Sequence, residues 1–211
     1  RILESLKHSW CSGDKARLLL QVTVLTRPGV CVEIGAFTGS STLPMLAGLH
    51  YNGHGHAYVI DAWSNDESTR GLPVADVNRA WWSTVDMTAV RAEFDRMIET
   101  WSFATRCHVL PLTSEQAVAR VPTCDLLHLD GNFSEEGAWR DSELYLPTVS
   151  AGGYILLSNA LVSVGGNAWR RAPFAKRDTV SPRPPLTQRF GGSGQNPGSK
   201  PRARSRRCKG S

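Results

Sequence analysis

Short apolar runs alternate with longer stretches of helical periodicity over the first three quarters of the chain. The run at 30–34 leads through a glycine turn into a helix-like stretch from Ser41 to Leu49, and the run at 56–60 ends at Asp61. Such alternation is typical of parallel strands that are joined by crossover helices. The pattern therefore predicts an α/β fold with a mostly parallel sheet.

Three further apolar runs extend this pattern. His108–Leu110 predicts a third strand, Cys124–Asp130 a fourth and Tyr154–Leu157 a fifth, with a helix from Ser134 to about Tyr145 before the last strand. Two helices are also predicted ahead of the first strand, over residues 2–10 and 14–25. We interpret both as structural helices that pack on the sheet edge, and a role in capping a ligand crevice is left open.

The connection from Ala62 to Arg106 is unusually long for a link between two strands. A helix is predicted over Asp86–Trp101, because five apolar residues recur there at the spacing of one helix face. These residues are Val90, Phe94, Met97, Ile98 and Trp101, and we interpret them as core packing. The earlier part of the connection is predicted to be an extended loop. Its Trp81-Trp82 pair is a candidate for a substrate lid or, equally, for a cover over the sheet edge.

The glycine turn after the first apolar run is a candidate ligand site. A strand that turns tightly into a helix leaves backbone N–H groups and the positive helix end facing a crevice, which suits an anionic or polar ligand. Gly35 and Gly39 would let the backbone approach this ligand closely. Their spacing differs from the G-x-G-x-x-G of dinucleotide-binding proteins and disfavours an NAD-dependent oxidoreductase. The alternative is an ordinary strand-to-helix turn.

Asp61 ends the second predicted strand, about one strand–helix unit after the glycine turn. In nucleotide-binding α/β folds, a carboxylate at this position accepts hydrogen bonds from ribose hydroxyls. An aspartate at a strand end is also common as a helix cap or turn former. Together with the glycine turn, Asp61 favours a cofactor of the nucleoside type.

Four segments in this order resemble the class I S-adenosylmethionine-dependent methyltransferases. The resemblance is to their small-molecule branch, which includes the metal-dependent O-methyltransferases and the cephalosporin-hydroxylase-like group (methyltransferase family 24-like). The segments are VEIGAFTGSST, VIDAW, LLHLDGNFSEEGAWRDSELYLP and AGGYILLSN, within Val32–Asn159. The resemblance implies a Rossmann-like, doubly wound sheet, S-adenosylmethionine as cofactor and methyl transfer to an oxygen of a small-molecule acceptor.

The resemblance also implies which residues form the site. The cofactor's methionine, ribose and adenine would be contacted by Glu33, Gly35, Ala36, Gly39, Ser40, Asp61, Ala62, Ser114 and Asp130. Within this set, Ser114 would lie near the adenine, although Thr113 to Glu115 is also an ordinary helix N-terminus. Asp130 would be the catalytic residue that faces the acceptor. His128, one pleat behind Asp130, is interpreted as a buried, hydrogen-bonded histidine.

Metal-dependent relatives hold a divalent cation, which implies Mg²⁺ bound by Asp130 and Asn159. Two residues depart from this pattern: Ser158 stands where an acid is expected, and Phe133 where a histidine is usual. These departures favour an alternative, a domain that binds the cofactor but is catalytically weak or inactive. Glu135, Glu136, Arg140 and Asp141 are interpreted as a solvated helix face.

Charge is distributed unevenly along the 211 residues, which suit a single α/β core. Residues 165–211 contain twelve Lys or Arg and one acid, which gives them a net charge of +11. Since the whole chain carries +5, the remaining residues carry −6. This Pro- and Gly-rich tail is predicted to be disordered. Nucleic-acid binding through its arginines, or a C-terminus altered by a reading-frame error, are the alternatives.

The predicted organisation is a helical segment at 1–29, the methyltransferase domain at 30–164 and the basic tail at 165–211. Because no strand pair is evident after Val164, we expect the sheet to lack its last two strands. The five cysteines form no C-x-x-C pair, which favours reduced thiols and a cytoplasmic protein. No apolar run approaches the length that is needed to cross a bilayer, so no membrane association is expected. A homodimer is left open.

Overall fold

The computed structural model describes residues 10–132 and 134–158, which form a sheet flanked by helices. Strands β1 to β5 are Val30–Ile34, His56–Ile60, Cys107–Leu110, Cys124–Leu129 and Val149–Leu157. Helices α1 to α7 are Gly13–Thr26, Thr42–Asn52, Asn65–Thr69, Val77–Trp82, Met87–Thr100, Ser114–Ala117 and Glu135–Tyr145. Short 3₁₀ turns at Val118–Arg120 and Leu146–Thr148 follow α6 and α7. All five predicted strands are present.

The sheet is entirely parallel, with the strand order β3-β2-β1-β4-β5. The chain moves outward from β1 to β2 and β3, then returns to the other side of β1 for β4 and β5. Helices on either side of this switch point diverge, so a crevice opens at the carboxyl ends of β1 and β4. This architecture confirms the predicted α/β, Rossmann-like doubly wound fold.

Both faces of the sheet are covered by helices. Along β1, Cys31 packs on the face that is covered by α1, α2 and α5, whereas Val32 and Ile34 pack on the face that is covered by α7. This alternation is the period of two expected of a strand that is buried on both sides. Leu19 of α1 shares a core with the sheet, so the segment before β1 is an integral part of this core.

Helix α5 confirms most of the predicted apolar stripe. Val90, Phe94, Met97 and Ile98 are buried, but Trp101 is 38% exposed. Trp101 lies outside the core because α5 ends one residue earlier, so the periodicity no longer applies to it.

The predicted extended loop after β2 is instead partly helical, with α3 and α4 within it. Each of these helices begins at a side-chain cap: Ser64 accepts a hydrogen bond from the Glu67 backbone, and Asp76 accepts one from Asn78. Their short length gave no apolar periodicity from which to predict them.

Several sequence predictions lie outside the described residues. These are residues 2–9 of the first predicted helix, the departure at Phe133, the predicted metal ligand Asn159, the missing last strands and the basic tail. No helix in the described part of the chain has the length and hydropathy to cross a lipid bilayer.

Candidate functional site

A cavity of about 720 Å³ opens at the carboxyl ends of the strands. Its wall includes Gly35 after β1, Asp61 after β2, Ser114 on α6 and Asp130 after β4. Pockets for small molecules usually fall in the range of roughly 300–1,000 Å³, so this cavity is large enough for an organic ligand. Its position at the switch point is where open α/β sheets bind ligands.

The glycine turn is required by contacts within the protein itself. Gly35 and Gly39 both have a positive φ, at 84° and 87°. A Cβ on Gly35 would overlap the backbone of Asp130, and a Cβ on Gly39 would overlap Met97. Contacts within the protein are therefore sufficient to require both glycines, and close approach of a ligand stays a prediction. Only Gly35 of the two lines the cavity.

Asp61 is the organising side chain of this turn. Its Oδ2 accepts hydrogen bonds from the backbone N–H groups of Ala36 and Phe37, both at 2.9 Å, and its Oδ1 accepts one from Trp63 at 2.7 Å. Burial raises the pKa of Asp61 despite these three hydrogen bonds. The carboxylate thus fixes the turn and also lines the cavity.

Glu33 lies behind the cavity wall, where its side chain is fully buried. It accepts hydrogen bonds from the hydroxyls of Ser41, at 2.5 Å, and Thr42, and it lies 2.9 Å from Nδ1 of His128. His128 in turn lies 3.0 Å from the Ser158 hydroxyl through Nε2. These contacts fit the interpretation of His128 as a buried, hydrogen-bonded histidine. Any effect of Glu33 on a ligand would pass through its neighbours.

Ser40 and Ala62 line the cavity beside the glycine turn. Ser114 lines it at the start of α6, and Thr113 caps that helix with a capping box that includes Gln116. Ser114 therefore belongs to an ordinary capped helix N-terminus and also faces the cavity, so the two interpretations do not exclude each other. All of the predicted cofactor residues except Glu33 and Gly39 lie on the cavity wall.

The predicted solvated face of α7 is wrong for two of its four residues. Glu135 and Glu136 are exposed, but Asp141 is buried and Arg140 is half-buried, and both line the cavity. Burial raises the pKa of Asp141 to about 6, against the opposing effects of a hydrogen bond from Ser114 and the charge of Arg140. Asp141 is a candidate ligand contact that the helical pattern did not indicate.

Lys15 is the other residue that sequence reasoning missed. Its Nζ lies 2.5 Å from Oδ2 of Asp130, and both side chains line the cavity. Lys15, Leu19 and Thr23 follow one another at intervals of four on α1, and the last two are buried. A charged residue at the head of a buried stripe was the available signal.

Four aromatic rings gather beside the cavity. Trp10 lies 5.2 Å from Trp81 and 5.9 Å from Trp82 between ring centroids, and Phe37 lies 5.5 Å from Trp82. Trp10, Phe37 and Trp82 line the cavity, whereas Trp81 is 37% exposed. We call these four residues the aromatic cluster. Trp82 therefore lies where the lid interpretation would put it.

The described residues do not fit a Mg²⁺ site. Among residues 10–132 and 134–158, no group of three or more His, Cys, Asp or Glu side chains could hold a metal ion. Asp130 already has the Lys15 ammonium as its counter-charge, and the Ser158 hydroxyl lies in contact with His128. Mg²⁺ requires several oxygen ligands, which this arrangement does not supply.

Solved structures share this fold at low sequence identity. A methyltransferase from Podospora anserina with bound SAH is 15% identical, with a TM-score of 0.56; the match covers 75% of this chain and 58% of that one. The O-methyltransferase TomG from Streptomyces achromogenes, with bound SAM, is 14% identical, with a TM-score of 0.54, and the match covers 74% of this chain and 58% of TomG. The O-methyltransferase NovP is 18% identical, with a TM-score of 0.59, and the match covers 79% of this chain and 72% of NovP. The chain thus spans about three fifths of the first two proteins.

No curated protein matches the chain. A family model described as a methyltransferase domain, however, matches residues 32–160, which is more than half of the sequence. That match begins in β1 and covers the glycine turn, Asp61 and Asp130. The chain belongs to this methyltransferase-domain family.

Proposed function

We propose that the protein transfers a methyl group from S-adenosylmethionine to an oxygen of a small-molecule acceptor. The observation that carries the proposal is the convergence of the glycine turn, Asp61, Ser114 and Asp130 on one cavity, within a chain of the methyltransferase-domain family. Similar solved structures with bound SAH or SAM support the same cofactor.

In this proposal, the cofactor lies along the carboxyl ends of β1, β2 and β3. The N-terminus of α2, which follows the turn from Gly35 to Ser40, suits the polar methionine end, because the positive helix end favours a carboxylate. Asp61 still has unused lone pairs on Oδ1 and would accept from a ribose hydroxyl.

Ser114 and Asp141 would contact the adenine at the far end of the cavity. The 6-amino group of adenine is a hydrogen-bond donor, and the Asp141 carboxyl offers acceptors that are otherwise costly to bury. Both residues line the cavity, and the Ser114 side chain acts to lower the pKa of this carboxyl. The role of Asp141 is additional to the residues that the sequence predicted.

Methyl transfer from a sulfonium needs little covalent help from the protein. A lone pair of the acceptor oxygen forms the new C–O bond, the C–S electron pair moves to sulfur, and the acceptor proton leaves to solvent. The protein's contribution is to hold the oxygen in line with the methyl carbon and to limit the access of water. The aromatic cluster and Asp130 would bound the acceptor's space.

A catalytically weak, cofactor-binding domain is the second candidate, and one observation favours it. Ser158 stands where metal-dependent relatives have an acid, and the described residues do not fit a divalent cation. This candidate predicts that the cofactor binds without turnover.

Methyl transfer from methyl-labelled S-adenosylmethionine to a panel of phenols, hydroxy acids and sugars would separate the two candidates. We expect a labelled product with at least one acceptor, in the presence or absence of EDTA. Cofactor binding without any labelled product would favour the weak or inactive domain. The matched control is the variant Asp130→Ala, which lacks the Asp130 carboxylate.

A further inference from the structure

Lys15, Asp130, His128 and Ser158 form a cluster at the acceptor end of the cavity. They come from α1, from the end of β4 and from the residue that follows β5. The Lys15 ammonium lies 2.5 Å from Asp130, and His128 Nε2 lies 4.0 Å from the same carboxylate oxygen. All four residues line the cavity, so the positive charge of Lys15 is within reach of a bound acceptor.

The cluster has the charge balance of a site that needs no further cation. The Lys15 and Asp130 side chains are 25% and 15% exposed, so their charges are partly desolvated and screen each other. A divalent ion at Asp130 would have to displace the ammonium and find further oxygen ligands. Within the described residues, Asp130 is the one carboxylate that contacts Lys15.

We propose that Lys15 supplies the positive charge that metal-dependent relatives take from a divalent cation, and that it binds the acceptor oxygen as an oxyanion. An ammonium has three N–H donors, and the described residues accept from one of them, through Asp130. The other two can donate to the acceptor. The inference rests on the proposed function and narrows the acceptor to compounds with an acidic hydroxyl.

The chemical step balances without a base at the site. The acceptor loses its proton to solvent and binds as the oxyanion beside the Lys15 ammonium. Its lone pair then forms the C–O bond while the C–S electron pair moves to the sulfonium sulfur, which becomes a neutral thioether. Lys15 keeps its proton throughout and Asp130 stays ionised, so Lys15 binds and orients the oxygen.

The aromatic cluster indicates which acidic hydroxyl the site would accept. Trp10, Phe37 and Trp82 line the same cavity as Lys15. Aromatic rings favour an aromatic partner through offset or edge-to-face packing. A phenol therefore satisfies both features, because its ring contacts the cluster and its oxygen is acidic enough to ionise.

The probe for this inference is 4-nitrophenol, titrated into the full chain at a pH where the phenol is ionised, with and without S-adenosylhomocysteine. Loss of a charge-assisted hydrogen bond costs about 1.5–3 kcal/mol, which corresponds to roughly tenfold or more in Kd. We therefore expect Lys15→Met to weaken binding by at least about tenfold and Lys15→Arg to retain most of it. Arg17→Met, which removes an exposed charge on the same helix, should leave the Kd unchanged.

Because Lys15→Met leaves Asp130 without its counter-charge, the double variant Lys15→Met/Asp130→Asn provides a second test without a lone charge. It should still bind the phenolate more weakly than the wild type does. Equal binding of 4-nitrophenolate by the wild type and the double variant, or no binding by the wild type, would overturn the inference.

Titration with Mn²⁺, monitored by electron paramagnetic resonance, tests the same inference without cofactor or acceptor. We expect no stoichiometric Mn²⁺ binding by the wild type. Stoichiometric binding that Asp130→Asn abolishes would show that a metal displaces Lys15 and would contradict the inference. If phenolate binding depends on Lys15 but S-adenosylmethionine does not bind, the proposed function fails while the site for an oxyanion stands.

Discussion

At the glycine-turn end of the cavity a carboxylate holds the backbone amides of two consecutive residues, whereas at the Asp130 end side chains from three separate elements meet. Asp61 holds the amides of Ala36 and Phe37, which follow β1 directly. Lys15 reaches Asp130 across 115 positions of sequence. The glycine-turn end can therefore be recognised from a local sequence motif, whereas the residues of the Asp130 end come together only when the chain folds.

This difference has a functional counterpart. A cofactor that is common to many reactions suits a site whose shape is held by the backbone of one turn, since that backbone can be kept while other side chains change. An acceptor that differs from enzyme to enzyme suits a site made of side chains. Ser158, which departs from the metal-dependent pattern, and the pairing of Lys15 with Asp130 both lie at the Asp130 end.

The largest expected effect is on the glycine turn itself. Gly35→Ala should lower the free energy of unfolding by about 2–5 kcal/mol, because it places a Cβ at positive φ and against the Asp130 backbone. Gly53→Ala is the matched control, since Gly53 also has a positive φ but nothing lies within 4 Å of its Cβ position. Denaturant unfolding of both variants measures the difference. Equal losses would mean that the close approach to Asp130 is not what requires glycine.

The next effect separates ligand binding from stability at the same end. Asp61→Ala removes the acceptor of three backbone hydrogen bonds and a proposed ribose contact, so S-adenosylmethionine should bind roughly 30- to 100-fold more weakly. Asp125→Ala is the control, because Asp125 accepts from the amides of Gly29 and Val30 at the opposite end of β1. If both variants weaken cofactor binding equally, Asp61 acts through stability alone.

The smallest of the three effects concerns the buried carboxyl on α7. The pKa of Asp141 is about 6 in the folded protein and near 3.8 when unfolded, so the folded state binds more protons between these values. The contribution of Asp141 to stability should therefore be highest below about pH 4 and fall as the pH rises through 6. Asp141→Asn should remove this fall and stabilise the protein by about 1–3 kcal/mol above pH 6.

Unfolding measured between pH 4 and pH 8 checks this prediction. Asp14→Asn, at a side chain that is 94% exposed, should leave the profile unchanged. A wild-type profile that rises between pH 4 and pH 6, with a slope that Asp141→Asn removes, would mean that the folded protein lowers this pKa.

The strands and α5 followed from local pattern, because each strand is a short apolar run and α5 carries a clear apolar stripe, whereas the short helices α3 and α4 did not. Asp61 and Ser114 were predicted for the same reason, since each directly follows or begins an element. Glu33 shows the limit of local pattern. Its buried carboxylate contacts His128, the residue opposite it in β4, and the pairing of two strands cannot be read from one strand alone. Lys15 and Asp141 depend on how α1 and α7 pack, which periodicity alone does not fix.

The proposed function depends most directly on whether the cavity binds S-adenosylmethionine. Calorimetric titration of the cofactor into the full chain at fixed salt, compared with Asp61→Ala, measures this. We expect one site per chain with a micromolar Kd in the wild type and a loss of at least about 30-fold in the variant. A folded wild-type protein that gives no binding would contradict the proposed function and leave only the shared fold.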